Sequence, residues 1–172
     1  NISKLNIMST GNVWIRSTGG ANSVPTVRYQ TEAGAAALNA GELCKRKSAG
    51  SPYVIALVDA DLTRGTDSQF VGLAASAGTH TASVDGVVDV YLPLPGIVYE
   101  AKAKTAASVD TQSEIDALVG DRKIIDVTGG VHTVDEAAAD AVASALTIVG
   151  GNPVTKTLYF TVAPVANAVD GA

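Results

Sequence analysis

Between Phe70 and Glu100 the chain reads FVGLAASAGTHTASVDGVVDVYLPLPGIVYE, and this stretch narrows the folds open to it. Short apolar, β-branched runs are broken by Gly, Pro and small hydroxyl residues. That is strand punctuation, not helix periodicity. Val87 to Leu92 alternates with period two, Val88, Val90 and Leu92 on one face and Val87, Asp89 and Tyr91 on the other. Asp85-Gly86 predicts a two-residue type I′ hairpin turn, which needs positive φ at both central positions. Pro93 and Pro95 cannot donate ladder hydrogen bonds, so Leu92 to Gly96 must bend or lie at an edge. The stretch carries little reactive chemistry: small hydroxyls, His80, two Asp and Glu100.

The rest of the chain repeats the pattern. Glu42–Lys45, Tyr53–Val58, Phe70–Ala75, Ile97–Ala101, Lys123–Val127, Leu146–Val149 and Thr157–Val162 read as strands. Thr128-Gly129-Gly130 reads as a turn, and Gly150 to Pro153 as the break between the last two strands. A short helix is predicted over Thr111–Val119, because Thr111-x-x-Glu114 matches a capping box and Gly120 supplies the residue past its C-terminus. Thr133-x-x-Glu136 suggests a second box before a helix over Ala137–Ala145. The expected fold is mainly β, a barrel-like or sandwich domain with one or two short helices.

Residues 1–40 differ. Val13–Arg16 and Val24–Tyr29 are β-prone, but a flexible run, Ser17 to Ser23, separates them, and Ala33 to Ala40 is rich in Ala. We expect an extended N-terminal arm over 1–40 that wraps its own domain or lies on a neighbour. A β-rich domain over 41–163 and a loose tail over 164–172 follow. Trp14, the chain's one Trp, sits on the arm, where it either tucks against its own domain or anchors an interface. The contact candidates on the arm are Trp14, Arg16, Val24, Val27, Arg28 and Tyr29.

With 172 residues the chain can bury a core without metal or disulfide, and with 47% apolar but 5% aromatic residues that core must be aliphatic. The net charge of −5 argues against nucleic acid as a partner. Lys45-Arg46-Lys47 reads as a solvated strand end, or as a small contact for an acidic partner. Cys44 is alone, so there is no internal disulfide, and it is expected to be a buried, inert thiol. No apolar run is long enough for a transmembrane helix.

Catalytic patterns are missing from the sequence. His80 and His132 lie in no paired or HExxH arrangement, so no metal site is expected. Asp59-x-Asp61 with Asp67 faintly resembles a calcium loop but lacks its Gly and Glu, and reads as a solvated turn. There is no GxSxG elbow, Walker loop or strand–GxGxxG–helix unit. Asp135-Glu136 reads as helix N-terminal charge. No enzyme activity and no cofactor are expected.

Residues 41–162 resemble the capsid decoration (cement, auxiliary head) proteins of tailed bacteriophages. The resemblance is carried by Gly41-Glu42-Leu43 leading to Tyr53–Val58, by Phe70–Ala75 with the Ser/Thr-rich connection after it, and by Asp85 to Glu100. Their order is similar to the lambda-type decoration fold, with the elements after Thr105 as an elaboration. The resemblance implies a β-tulip domain on the outer surface of the virion, where it stabilises the mature head by bridging subunits of the major capsid protein. A homo-oligomer follows, a trimer favoured with a dimer as the alternative, and the N-terminal arm lies on the capsid. The competing classes are another virion component, such as a tail-tube or minor head protein, and a carbohydrate-binding or adhesion β-domain. The latter would need an aromatic-lined concavity, for which two Phe, five Tyr and one Trp scattered along the chain are a poor platform.

Overall fold

The computed structural model describes residues 13–17, 23–58, 70–140 and 144–162. The acidic run around Asp59, Asp61 and Asp67, most of the flexible run after Ser17, and the C-terminal tail lie outside them. Eleven strands follow in order: β1 Val13–Ser17, β2 Thr26–Thr31, β3 Leu43–Arg46, β4 Val54–Ala56, β5 Phe70–Ala74, β6 Gly86–Tyr91, β7 Val98–Lys102, β8 Arg122–Thr128, β9 Val131–Asp135, β10 Leu146–Asn152 and β11 Thr157–Val162. They form two antiparallel sheets, six-stranded β1-β7-β11-β10-β8-β9 and five-stranded β2-β6-β5-β3-β4. The fold is mainly β, as the punctuation of the sequence requires.

Each sheet curls round on itself. In the five-stranded sheet Gln30 bridges Tyr53, joining β2 to the start of β4. The interior is filled from every strand: Tyr29, Val88 and Val90, Val71 and Ala74, Cys44, and Val54, with Leu38 from a loop. In the six-stranded sheet Ala103, one residue past β7, bridges Val134 on β9. Strand β1 pairs with the preceding part of the same β7 edge. Closure satisfies backbone groups that open edges would leave exposed.

The larger core joins the two units. Leu43, Phe70 and Leu73 of one sheet meet Tyr99, Ile125, Leu146, Ile148, Leu158 and Phe160 of the other. Tyr99 stacks on Phe160 with centroids 5.6 Å apart and meets Phe70 edge-on at 6.5 Å. Both phenylalanines thus flank one tyrosine, and the aliphatic residues fill the remainder. Strand β5 can serve both cores because its register against β3 shifts at Val71: Cys44 faces Gly72 and Lys45 faces Phe70. The bulge sends Phe70 and Leu73 to the larger core and Val71 and Ala74 to the smaller.

Helix α1, Gln112–Leu118, forms where expected. Thr111 and Glu114 make both halves of the capping box, and Gly120 takes φ +94° after the helix. The second expected box does not form. Val131–Asp135 is a strand paired with β8, and the Glu136 carboxylate accepts the Thr105 N–H instead. The described positions of 137–145 are not helical. Strand pairing of β-branched Val131, Thr133 and Val134 overrides the local capping signal.

The Asp85-Gly86 turn is also corrected. Strands β5 and β6 are joined by a long loop, and Gly86 opens β6. A Cβ on Gly86 would lie 2.0 Å from His80 N, so glycine is there for a close backbone approach. Asp85 instead clasps the barrel seam, accepting from Ala33 N and Tyr53 Oη at 2.8 Å each. The two-residue hairpin lies at Gly129-Gly130, φ +61° and +80°, between paired Thr128 and Val131.

Of the two dispositions open to an N-terminal arm, the described residues take the first and wrap their own domain. Strand β1 pairs with β7 and β2 with β6. The compact unit therefore takes in strands N-terminal of the boundary expected at Gly41. Segments too poor in bulk to form a core of their own complete sheets whose other strands supply it.

Candidate interaction surface

The six contact candidates divide between the sheets. On the outer face of the six-stranded sheet, Trp14 pairs with Glu100 and Glu100 with Tyr159, so three strands present one row. Trp14 is half-buried. Arg16 bridges the row, with Nη1 3.3 Å from Glu100 Oε2 and its guanidinium carbon 3.9 Å from the Tyr159 ring centroid. Glu100 is held from the other side by the Thr157 hydroxyl at 2.7 Å. Lys102 donates to Thr155 O at 2.6 Å and fixes the neighbouring turn.

The others lie on or beside β2. Val24 packs against the larger core and Tyr29 against the smaller. Arg28 forms a two-pronged pair with Asp89 on β6, at 2.9 and 3.2 Å. The guanidinium beside Asp89 holds that carboxyl below its usual range. Val27 is exposed. Trp14 and Arg16 are thus the pair that the fold builds into a shared surface. Nothing in the sequence marks Glu100, Thr157 or Tyr159, because only the strand registers put them beside residues 14 and 16.

Charges elsewhere serve closure. Lys104 Nζ lies 2.7 Å from Asp126 and 2.9 Å from Asp135, tying the chain after β7 to β8 and β9 at the Ala103–Val134 bridge. Hydrogen bonds to these two carboxylates raise the Lys104 pKa, and Lys104 lowers that of Asp126. Lys47 of the basic cluster pairs with Glu32, beside the other seam. Cys44 is buried in the smaller core, and desolvation raises its thiol pKa well above the usual value.

His80 reaches Ala35 O at 3.1 Å through Nε2. His132 is buried between the sheets and accepts from Leu43 N through Nδ1. Among the described residues no three His, Cys, Asp or Glu side chains group as metal ligands. No described helix is long and apolar enough to cross a membrane. No family model, curated protein or solved structure matches the chain.

Proposed function

We propose that this chain is a non-enzymatic capsid decoration protein that binds the outside of an expanded icosahedral phage head and bridges its major capsid protein subunits. The observation that carries the reading is the Trp14–Glu100–Tyr159 row with Arg16 laid across it. It is a pre-ordered aromatic and arginine surface, of the residue types that dominate interface energetics. The sequence order from Phe70 to Glu100 supports the same reading.

The mechanism is mass action. A protein that binds the mature lattice and not its separated subunits stabilises the lattice by RT ln(1 + [L]/Kd), about 2.7 kcal/mol per site at a hundredfold excess over Kd. A homo-oligomer, with a trimer favoured, multiplies this through effective concentration.

The test is co-sedimentation. Heads of the virus that encodes the chain, prepared without it, are mixed with the purified protein. The expected result is saturable binding to expanded heads, weak binding to unexpanded ones, and heads that resist heat or dilution better once loaded. Stacked hexameric rings of the free protein would point instead to a tail tube, and failure to bind any head would refute the proposal.

A further inference from the structure

One segment of the five-stranded unit hydrogen-bonds to both strands that lie along the β7 edge. Gly41 O accepts the Val13 N–H of β1 at 3.2 Å. Leu43 donates its N–H to His132 Nδ1 of β9 at 3.1 Å, across 89 residues of chain. The same segment binds its own sheet, for Glu42 O accepts from Ala74 N and Leu43 O from Leu57 N. Gly41–Leu43 therefore lies on the seam between the two sheets, and the imidazole of His132 adds a side-chain hydrogen bond across it.

That imidazole is 1% exposed, and Nε2 has no hydrogen-bond partner among the described residues. With Nδ1 accepting, the neutral ring carries its proton on Nε2. A second proton must go to Nδ1, where it would face the Leu43 N–H donor to donor. Among the described residues, the charged groups beside the ring are already engaged. Glu42, next to Leu43, turns its carboxylate to Asn39 N and Nδ2 at 2.7 and 3.1 Å. The Cys44 thiol donates to Glu42 O. On β8 and β9, Asp126 and Asp135 are bound by Lys104, and Lys123 by Asp121 and Ala138 O. Glu136 accepts from Thr105 N, and on β1 Arg16 is committed to Glu100.

We propose that the Gly41–Leu43 seam is an acid-operated latch: protonation of His132 breaks its bond to Leu43 and frees β1, with its Trp14–Arg16 face, from the five-stranded sheet. The inference does not depend on what docks against that face. Burial lowers the His132 pKa to about 4, so the ring stays neutral in the closed state. An open or unfolded imidazole titrates near 6.5. The latch is therefore fully closed above that pH and weakens as pH falls from there toward 4, because the open state binds the proton first.

Trp14 is the chain's one tryptophan and sits half-buried on β1, so its fluorescence reports on the seam. The full chain is titrated from pH 8 to pH 4, with far-UV circular dichroism in parallel. The expected wild-type result is a change in Trp14 emission below about pH 6 while the strand signal persists. His132→Asn keeps an oxygen to accept from Leu43 but cannot be protonated, and should remove the change. Any effect of acid on the surroundings of Trp14 other than through His132 is common to both proteins and cancels in the comparison. An unaltered transition in His132→Asn would overturn the latch. Where that variant does not fold, NMR titration of the wild-type ring decides, with His80→Asn assigning the signals. A His132 midpoint below about 5 supports the latch, a proton affinity weakened at least thirtyfold, and a midpoint at or above that overturns it.

Discussion

Arg16 lies over Tyr159, its guanidinium carbon 3.9 Å from the ring centroid, while Nη1 reaches Glu100 at 3.3 Å. Both partners sit on strands more than eighty residues away along the chain. The arginine is half-exposed. Its contacts are therefore worth little to stability, about 1 kcal/mol or less together, because water and salt screen them. What they fix is position: a planar donor held against an aromatic face beside Trp14.

Arg16→Ala is accordingly expected to lower the urea-unfolding free energy by no more than about 1 kcal/mol. The same substitution should weaken head binding at least tenfold, about 1.4 kcal/mol, if this face makes the contact. Denaturation and co-sedimentation measured side by side separate the two effects. An unfolding loss with unchanged binding would move the contact elsewhere.

Deleting residues 1–40 should abolish folding rather than leave a docking-deficient domain. The deletion removes β1 and β2, exposes the ladder edges of β7 and β6, and takes away buried Val13, Thr31 and Leu38. Each buried aliphatic truncation alone costs roughly 2–5 kcal/mol, a large part of a domain's total stability. Circular dichroism of the truncated chain should show no cooperative melt. A native-like melt would mean that these strands are dispensable.

Two glycines should fail for different reasons. In Gly86→Ala the new Cβ meets His80 N and Thr79 C at 2.0 and 2.4 Å, backbone atoms that cannot swing aside. In Gly129→Ala the Cβ finds open space, and only φ +61° opposes it. The second should cost about 1–2 kcal/mol. The first should cost more, because the loop running beside β6 must move. Equal melting temperatures would contradict the close approach.

The α1 cap gives a pH-dependent test. Thr111→Ala should cost about 1 kcal/mol at pH 7. The Thr111 backbone N–H, then its hydroxyl, holds the Glu114 carboxyl below its usual range. A carboxyl with a depressed folded pKa contributes above its unfolded value, about 4.3, and loses that contribution as pH falls through the folded value. The gap between wild type and Thr111→Ala should therefore narrow below pH 4. A constant gap would show that the hydroxyl acts without Glu114.

What the sequence reveals follows how local each signal is. The Thr111–Glu114 box could be read because both partners lie within one turn of helix. Alternation in Val87–Leu92 revealed its buried face for the same reason. Asp85-Gly86 and Thr133-x-x-Glu136 misled because distant groups claim their side chains or backbone: Ala33 and Tyr53 take Asp85, and Thr105 takes Glu136. At Gly129-Gly130, where the flanking strands pair directly, the turn signal stands. For the surface, Trp14 and Arg16 could be picked out by residue type. Glu100 and Tyr159 could not, since their place beside residues 14 and 16 exists only through the registers of β1, β7 and β11.

The proposed role is tested most directly by electron cryo-microscopy of heads, assembled without the chain, after incubation with the purified full-length protein. The expected image shows added density on the outer surface of expanded heads, with the Trp14–Arg16 face turned to the shell and each copy touching more than one capsid subunit. Heads left bare at saturating protein, or density confined to a tail or to the interior, would contradict it.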